Sequence, residues 1–277
     1  MTDYDPHAFP PFAVTVDIVV LTLVDRDLHV LLIERGEDPY RGRRSLPGGF
    51  VTPDESLEQA AARELREETG VEAAPHLEQL GSYGDPDRDP RMRVVTVAYL
   101  AVLRRVDGIR AGSDAAHAEL VPVREVLARP DDLAFDHGRI LADAVEAVRL
   151  KLEHTTLATA FVGPEFTLSE LRSVYEAGWD TRLDPGNFRR KWLQANPGIM
   201  EPTGETRAPG PEGGKPAEVY RLSGVDYLAS PMRAPERAAM AMPPPPAAGA
   251  APAAPARAAR KPAAQRKRTK GKEPPRK

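Results

Sequence analysis

Apolar positions in the first half of the chain switch between a period of two and a helical period. Residues 14–23 alternate loosely and are rich in β-branched side chains, which predicts a strand. Asp25-Arg26-Asp27 turns it, and residues 29–33 return as the second strand of a hairpin. Leu57, Ala61 and Leu65 then recur at helical spacing. Ser56 and Gln59 stand in capping-box register before them, and Gly70 marks a stop. A strand over residues 77–83 follows. Residues 94–103 are the most continuous apolar run and belong at the sheet centre. A short strand at 120–123 and a helix from Arg124 come next. Between Asp131 and Leu152 a helical period runs through Leu133, Ile140, Leu141, Ala144, Val145, Val148 and Leu152, predicting a long helix over one sheet face. His137 within it reads as a packing or capping residue.

The character changes after Pro164. Thr167 and Glu170 repeat the capping-box spacing, followed by Leu168, Leu171, Val174 and Tyr175 on one side. Gly178-Trp179-Asp180 predicts a turn. Asp184 and Pro185 predict the N-cap and first residue of a second helix, with Phe188, Trp192 and Leu193 inward and Asn187, Arg189, Arg190 and Lys191 outside. Strands are expected over 199–202 and 217–222. The stretch 203–216 between them is rich in Gly and Pro and carries Arg207 and Lys215. Two short helices, the second basic, followed by such a hairpin have the outline of a winged helix. A small helical subdomain with a solvated basic helix is the plainer alternative.

Composition sharpens this division. The chain has 277 residues, 41% of them hydrophobic, no cysteine and 29 prolines. Disulfides and thiolate metal sites are therefore excluded. No 18-residue apolar run is present, and the acidic start, Met1-Thr2-Asp3-Tyr4-Asp5, is unlike a signal peptide, so a cytoplasmic location and no membrane partner are expected. The net charge of −3 hides an asymmetry. The last 45 residues hold 12 Lys or Arg and 2 Glu, leaving 26 basic and 39 acidic residues in the first 232. The boundaries predicted are 10–153, 160–228, and an Ala/Pro-rich basic tail at 229–277 that lacks the apolar residues to bury a core and is expected to be disordered. Such a tail suits nucleic acid without sequence preference, or is simply solvated.

On the predicted first helix, Glu64, Glu67 and Glu68 fall within one arc, at the edge of the apolar stripe. Like charges at these spacings repel, and a hard divalent cation would relieve them. A solvated acidic face is the alternative from charge alone. The full spacing decides between them. Gly49, Glu55, Arg63-Glu64-Leu65, Glu67-Glu68 and Gly70-Val71 match the Nudix box at every fixed position, and the chain resembles the Nudix family. The resemblance implies an α/β/α sandwich with a mixed sheet. It implies Glu64, Glu67 and Glu68 as ligands of Mg²⁺ (or Mn²⁺) together with Gly49, Arg63 as their orienting partner and Glu55 as a nearby helix-start carboxylate. Metal-activated water attacking a pyrophosphate is the implied chemistry.

Other candidates surround the box. Arg43 and Arg44 stand in a basic loop before it, suited to phosphate or merely solvated. The loop Gly84-Asp85-Pro86-Asp87-Arg88-Asp89-Pro90-Arg91 resembles that of Nudix proteins acting on ADP-ribose and of their regulatory relatives, which makes Arg88 and Arg91 ligand candidates. A loop fixed by Asp–Arg pairs is the alternative. Asp114 and Glu119 are candidate general bases. The second domain resembles that of the Nudix-related transcriptional regulators of NAD metabolism, giving a winged helix-turn-helix. The implied protein is a homodimeric repressor that binds a double-stranded DNA operator and responds to ADP-ribose or a related nucleotide. Its operator would meet Asn187, Arg189, Arg190, Lys191, Arg207 and Lys215. The complete box also leaves a Mg²⁺-dependent pyrophosphatase as the alternative.

Overall fold

The computed structural model describes residues 10–71, 74, 76–104, 115–208 and 215–235. Asp114 and most of the basic tail lie outside them. The hairpin expected at the start is β1 (Ala13–Val24) and β2 (Asp27–Arg35). Short strands β3 (Arg44–Ser45) and β4 (Gly48–Phe50) precede helix α1 (Leu57–Thr69). Strands β5 (His76–Tyr83), β6 (Val94–Val102) and β7 (Ala115–Pro122) complete the sheet. Its order is β3-β2-β1-β6-β5, with β4 beside β1 and β7 beside β2. β6 runs parallel to β1 and the other pairings are antiparallel, so the sheet is mixed. β1 changes partner along its length: Leu21 to Val24 pair with β2, whereas Thr15 to Asp17 pair with β4. That fork opens one end of the sheet, and the ligand cavity lies there.

Alternation along β1 divides the core. Val16, Ile18 and Val20 pack with Ala60, Ala61 and Leu65 of α1. Val19 and Leu21 face the other way, toward Ile140, Leu141, Ala144 and Val148. Those belong to α3 (His137–His154), which follows a short helix, α2 (Val123–Ala128), and a 3₁₀ turn at Pro130–Asp132. The result is the expected three-layer sandwich. Each fully buried Val, Leu or Ile contributes roughly 1.5–3 kcal/mol. The long helix begins at His137, not Asp131, because Phe135 takes a left-handed backbone (φ 54°) that a helix cannot contain.

The second half is α4 (Ala158–Val162), β8 (Glu165–Thr167), α5 (Leu168–Trp179), α6 (Pro185–Gln194), β9 (Met200–Arg207) and β10 (Ala217–Leu222). The three strands form one sheet, β8-β10-β9, beside the two helices, which is a winged helix. Gly178 and Trp179 finish α5 instead of forming the turn. Asp180 is its left-handed C-cap. The aromatic core is centred on Tyr175, with ring centroids 4.9 Å from Trp179, 5.4 Å from Phe188 and 6.1 Å from Trp192. This core is continuous with the α3 face of the sandwich. Arg149 of α3 donates to the carbonyl of Gly178 at 2.9 Å. A Cβ on Gly178 would stand 2.5 Å from Leu152 Cδ1, so the two helices meet where one has no side chain. The packed chain also runs past residue 228: Met232 is buried, and Ser230 donates its N–H to Asn196 Oδ1 at 2.7 Å. The described residues belong to one compact unit that ends at Pro235. Among them no helix is long and apolar enough to cross a membrane.

Candidate ligand site and nucleic-acid interface

Helix α1 carries the box. Ser56 accepts from Gln59 N–H and Gln59 reciprocates, while Gly70 closes the helix in the left-handed region (φ 75°). Arg63 is the hub of this helix. Its guanidinium meets Glu55 at 2.7 and 2.9 Å, Glu64 at 2.7 Å, Glu67 at 3.2 Å and the Phe50 carbonyl at 3.1 Å. The hydrogen bonds from Arg63, then the Thr52 N–H, hold the Glu55 carboxyl down to about 2. Glu64 moves the other way, because burial outweighs its contact with Arg63. A Cβ on residue 49 would come 2.2 Å from Glu64 Oε1, so the carboxylate lies directly on the glycine backbone.

Glu68 points into the fork of the sheet and accepts the Gly48 N–H at 2.7 Å. Burial, with Glu64 and Asp17 adding negative charge, pushes it up to about 8. The ordinary value is 4.5, so the folded chain holds this proton more tightly than the unfolded one. Stability is then full below pH 4.5 and is lost as the pH rises through about 8. In chelator, Glu68→Gln is expected to remove on the order of a few kcal/mol from the difference in unfolding free energy between pH 5 and pH 8. Urea titrations at both pH values check this. An unchanged difference would mean that the carboxyl ionises freely.

A cavity of about 230 Å³ opens beside Glu68, lined by Asp17, Gly49, Phe50, Arg35, Arg91 and Phe135 among others. Arg91 shares Asp89 at 2.7 Å and lies over the rings of Phe50 (5.3 Å) and Phe135 (5.9 Å). Arg35 lies 4.8 Å from the Phe135 centroid and donates to the Pro39 carbonyl at 2.8 Å. The β2–β7 register shifts between Glu34 and Arg35. The extra residue lies on β7, and Arg35 continues the alternation of Leu31 and Ile33 onto the face where the cavity opens.

The other predicted ligand residues are placed differently. Arg88 lines the cavity too, but it is buried and bonded to Asp17 at 3.1 Å and to Asp136 at 2.7 Å. Burial opposes ionisation of Asp17, but His137 and Arg88 outweigh it and bring the carboxyl down to about 2. His137 Nδ1 accepts the Leu46 N–H at 2.9 Å and its Nε2 lies 3.4 Å from Asp17. Asp–Arg pairs do fix the 84–91 loop, Asp85 with Arg139 (2.8 Å) included. Arg44 pairs with Glu119 at 2.6 Å, and neither residue lines the cavity. Arg43 donates to the carbonyls of Asp131 and Leu133, pinning the turn before α3. Arg35 and Phe135 line the cavity and were not singled out from the sequence; His137, read as a packing or capping residue, lines it as well. A larger cavity, about 740 Å³, lies between β5, α3 and α4, but it holds no box residue and its Lys151–Glu78 pair (2.9 Å) is internally satisfied.

The donor set of the box suits a hard cation: carboxylate oxygens, a glycine backbone with nothing above it but Glu64, and a buried carboxyl short of positive charge. Among the described residues, however, no three such side chains converge on one point. Arg63 holds Glu64 and Glu67, and Glu68 faces Gly48.

On α6, Asp184 accepts the Asn187 N–H at 2.7 Å, and Phe188 and Trp192 are buried. Asn187, Arg189, Arg190 and Lys191 are exposed together on the outer face. Arg190 bonds to Asn187, and Arg189 lies 3.9 Å from Glu218 on β10. Lys215 is exposed in the wing. Arg207 is committed elsewhere: it donates to Glu170 at 2.6 Å, the carboxylate that caps α5.

Residues 12–144 match the NUDIX domain model, and residues 158–222 match the NrtR DNA-binding winged helix domain. The ADPR responsive transcriptional repressor NtrR of Acinetobacter baylyi is 34% identical over 229 residues, covering 82% of this chain and 88% of that protein. The ADP-ribose pyrophosphatase of Methanocaldococcus jannaschii is 39% identical over 46% of this chain and 71% of its own length. The crystal structure of Shewanella oneidensis NrtR complexed with a 27mer DNA superposes with a TM-score of 0.66 at 33% identity, over 79% of this chain and 99% of that one. Nudix domains generally work with a divalent metal ion.

Proposed function

This chain belongs to the Nudix-related transcriptional regulators that join a Nudix domain to an NrtR DNA-binding winged helix, and on that premise we propose that it is a repressor whose grip on its operator is set by ADP-ribose or a related NAD-derived nucleotide. The observation that carries the ligand class is the cavity: two guanidinium groups, Arg35 and Arg91, converge on aromatic faces beside the box. Pyrophosphate oxygens suit the guanidinium forks, and a base suits Phe50. Mg²⁺ or Mn²⁺ would be held by Glu64, Glu67, Glu68 and the Gly49 carbonyl, where it would neutralise diphosphate charge and acidify a bound water. Holding it requires Arg63 to give up Glu64 and Glu67. The operator would be double-stranded DNA met by a homodimer in the cytoplasm, with Asn187, Arg189, Arg190 and Lys191 toward the major groove and Lys215 on phosphates. Fluorescence anisotropy on the chain's own upstream region tests this. Added ADP-ribose is expected to weaken binding about tenfold or more. Equal affinity with and without it would reject the ligand assignment.

A second reading is favoured by the complete carboxylate set and by the similarity to an ADP-ribose pyrophosphatase. Here Glu68 would serve as a metal ligand at the cavity, and Glu119, a candidate base on sequence, is occupied by Arg44. ADP-ribose with Mg²⁺ would yield AMP and ribose 5-phosphate, and Glu68→Gln would slow this by orders of magnitude. Absence of AMP after prolonged incubation leaves the sensor alone.

A further inference from the structure

Phe135 is the point at which the ligand cavity touches the helix that carries the DNA-binding domain. Its backbone is left-handed (φ 54°), an arrangement that costs an aromatic residue on the order of 1 kcal/mol and persists only where the surroundings hold it. What holds it is the cavity. Arg35 covers the ring at 4.8 Å, Arg91 lies at 5.9 Å, and Tyr40 meets it edge-on at 4.9 Å. The next two residues are anchored elsewhere, Asp136 to Arg88 and His137 to the Leu46 N–H. With His137, α3 begins. Eighteen residues make it about 27 Å long, and near its far end Arg149 and Leu152 meet Gly178 of α5. Trp179, the next residue of α5, donates its indole N–H to the Arg149 carbonyl at 3.4 Å.

The two guanidinium groups are the weak part of this lock. Among the described residues Arg35 forms no ion pair with a carboxylate, and Arg91 pairs with Asp89, two positions away, with Glu37 adding negative charge nearby. Both therefore suit an entering anion. A cation–π contact stabilises by about 0.5–2 kcal/mol, whereas a charge-assisted, bidentate bond to phosphate is the stronger interaction. A diphosphate takes both forks only by drawing Arg35 from the Pro39 carbonyl and Arg91 from Asp89, and those moves change how the ring is covered.

We propose that Phe135 is the coupling residue of this regulator: a diphosphate that draws Arg35 and Arg91 off its ring frees the 133–136 turn, and the start of α3 shifts with it. This rests on the nucleotide-responsive reading above. Ligand and operator then favour different positions of one helix, so each weakens the other by the same factor.

The test measures both directions: operator affinity with and without ADP-ribose, and ADP-ribose affinity, by calorimetry, with and without operator. The native chain is expected to show matching factors of about tenfold or more. Phe135→Gly removes the ring and relaxes the left-handed backbone. It should still bind each ligand, with both factors reduced to within about twofold of one. Phe135→Tyr, which keeps the ring, should behave as the native chain. Native factors of one would defeat the nucleotide-responsive reading itself. Native coupling retained in full by Phe135→Gly would overturn the coupling role alone. So would loss of ADP-ribose binding in that variant, which would make Phe135 a ligand contact. Should thermal melting show Phe135→Gly unfolded, Phe135→Leu keeps the apolar volume without the ring and is read by the same criteria.

Discussion

Arg88→Ala is expected to destabilise the folded chain by about 3–5 kcal/mol, the cost of leaving buried charges without their partner. The Arg88 side chain is 4% exposed and that of Asp17 is 8% exposed. Its fork joins Asp17 on β1 to Asp136 at the start of α3, so its removal strands two carboxylates at once. The sign with pH follows from Asp17. Its folded value, about 2, is below the ordinary 3.8. Its favourable contribution is therefore present above 3.8 and lost as the pH falls through about 2. Without Arg88 the charged form of Asp17 keeps His137 but loses part of its support, so the variant's deficit should be larger at pH 7 than at pH 2. Urea titrations at the two pH values check both statements. A loss under 1 kcal/mol at pH 7 would mean that solvent already screens this triad. Asp17→Asn in the Arg88→Ala background should recover part of the loss, because it removes one of the stranded charges.

The second large effect is expected at the operator. Arg189→Ala should cost specific binding about 1–3 kcal/mol and relax sequence preference, since an Arg fork pairs with guanine O6 and N7. The structure adds a competitor: Arg189 lies 3.9 Å from Glu218, so Glu218→Gln should tighten DNA binding by freeing it. Lys215→Ala should weaken all DNA alike and lower the salt slope by about one. Arg207, grouped with it on sequence alone, should behave otherwise. Bound to the Glu170 cap, it should alter winged-helix stability on substitution and leave the salt slope unchanged. Salt titrations of binding to operator and random DNA separate these effects. An unchanged specificity ratio for Arg189→Ala together with a changed slope for Arg207→Ala would reverse the assignment. Deleting residues 243–277 should lower affinity for random DNA and leave operator choice intact.

Much of this was legible in the residues. The caps at Ser56, Thr167 and Asp184 were readable because each is a bond between positions three apart, which needs no knowledge of the rest of the chain. The alternation of β1 and the apolar run of β6 marked strands for a similar reason, since burial on a sheet repeats with the backbone, whereas the sandwich was implied by the resemblance that the box carries. The box spacing, likewise, is a property of one loop and one helix.

What escaped is what distance decides. Which arginine of the 84–91 loop would be buried depended on partners 48 and 71 residues away, Asp136 and Asp17, and those hold Arg88. Arg35 keeps its place in the alternation after Leu31 and Ile33, but that its face opens onto a cavity depended on Phe50 and Phe135 arriving from other parts of the chain. Phe135 delayed the start of the predicted helix because a ring held by Arg35 and Tyr40 outweighed a period that local residues would have begun at Asp131. Met232 joined the core past the predicted boundary by packing on residues brought together from both halves of the chain. Caps, periods and the box are fixed by neighbours in sequence. The choice among equally plausible charged side chains is made by desolvation, and only the assembled tertiary structure sets how much water each one keeps.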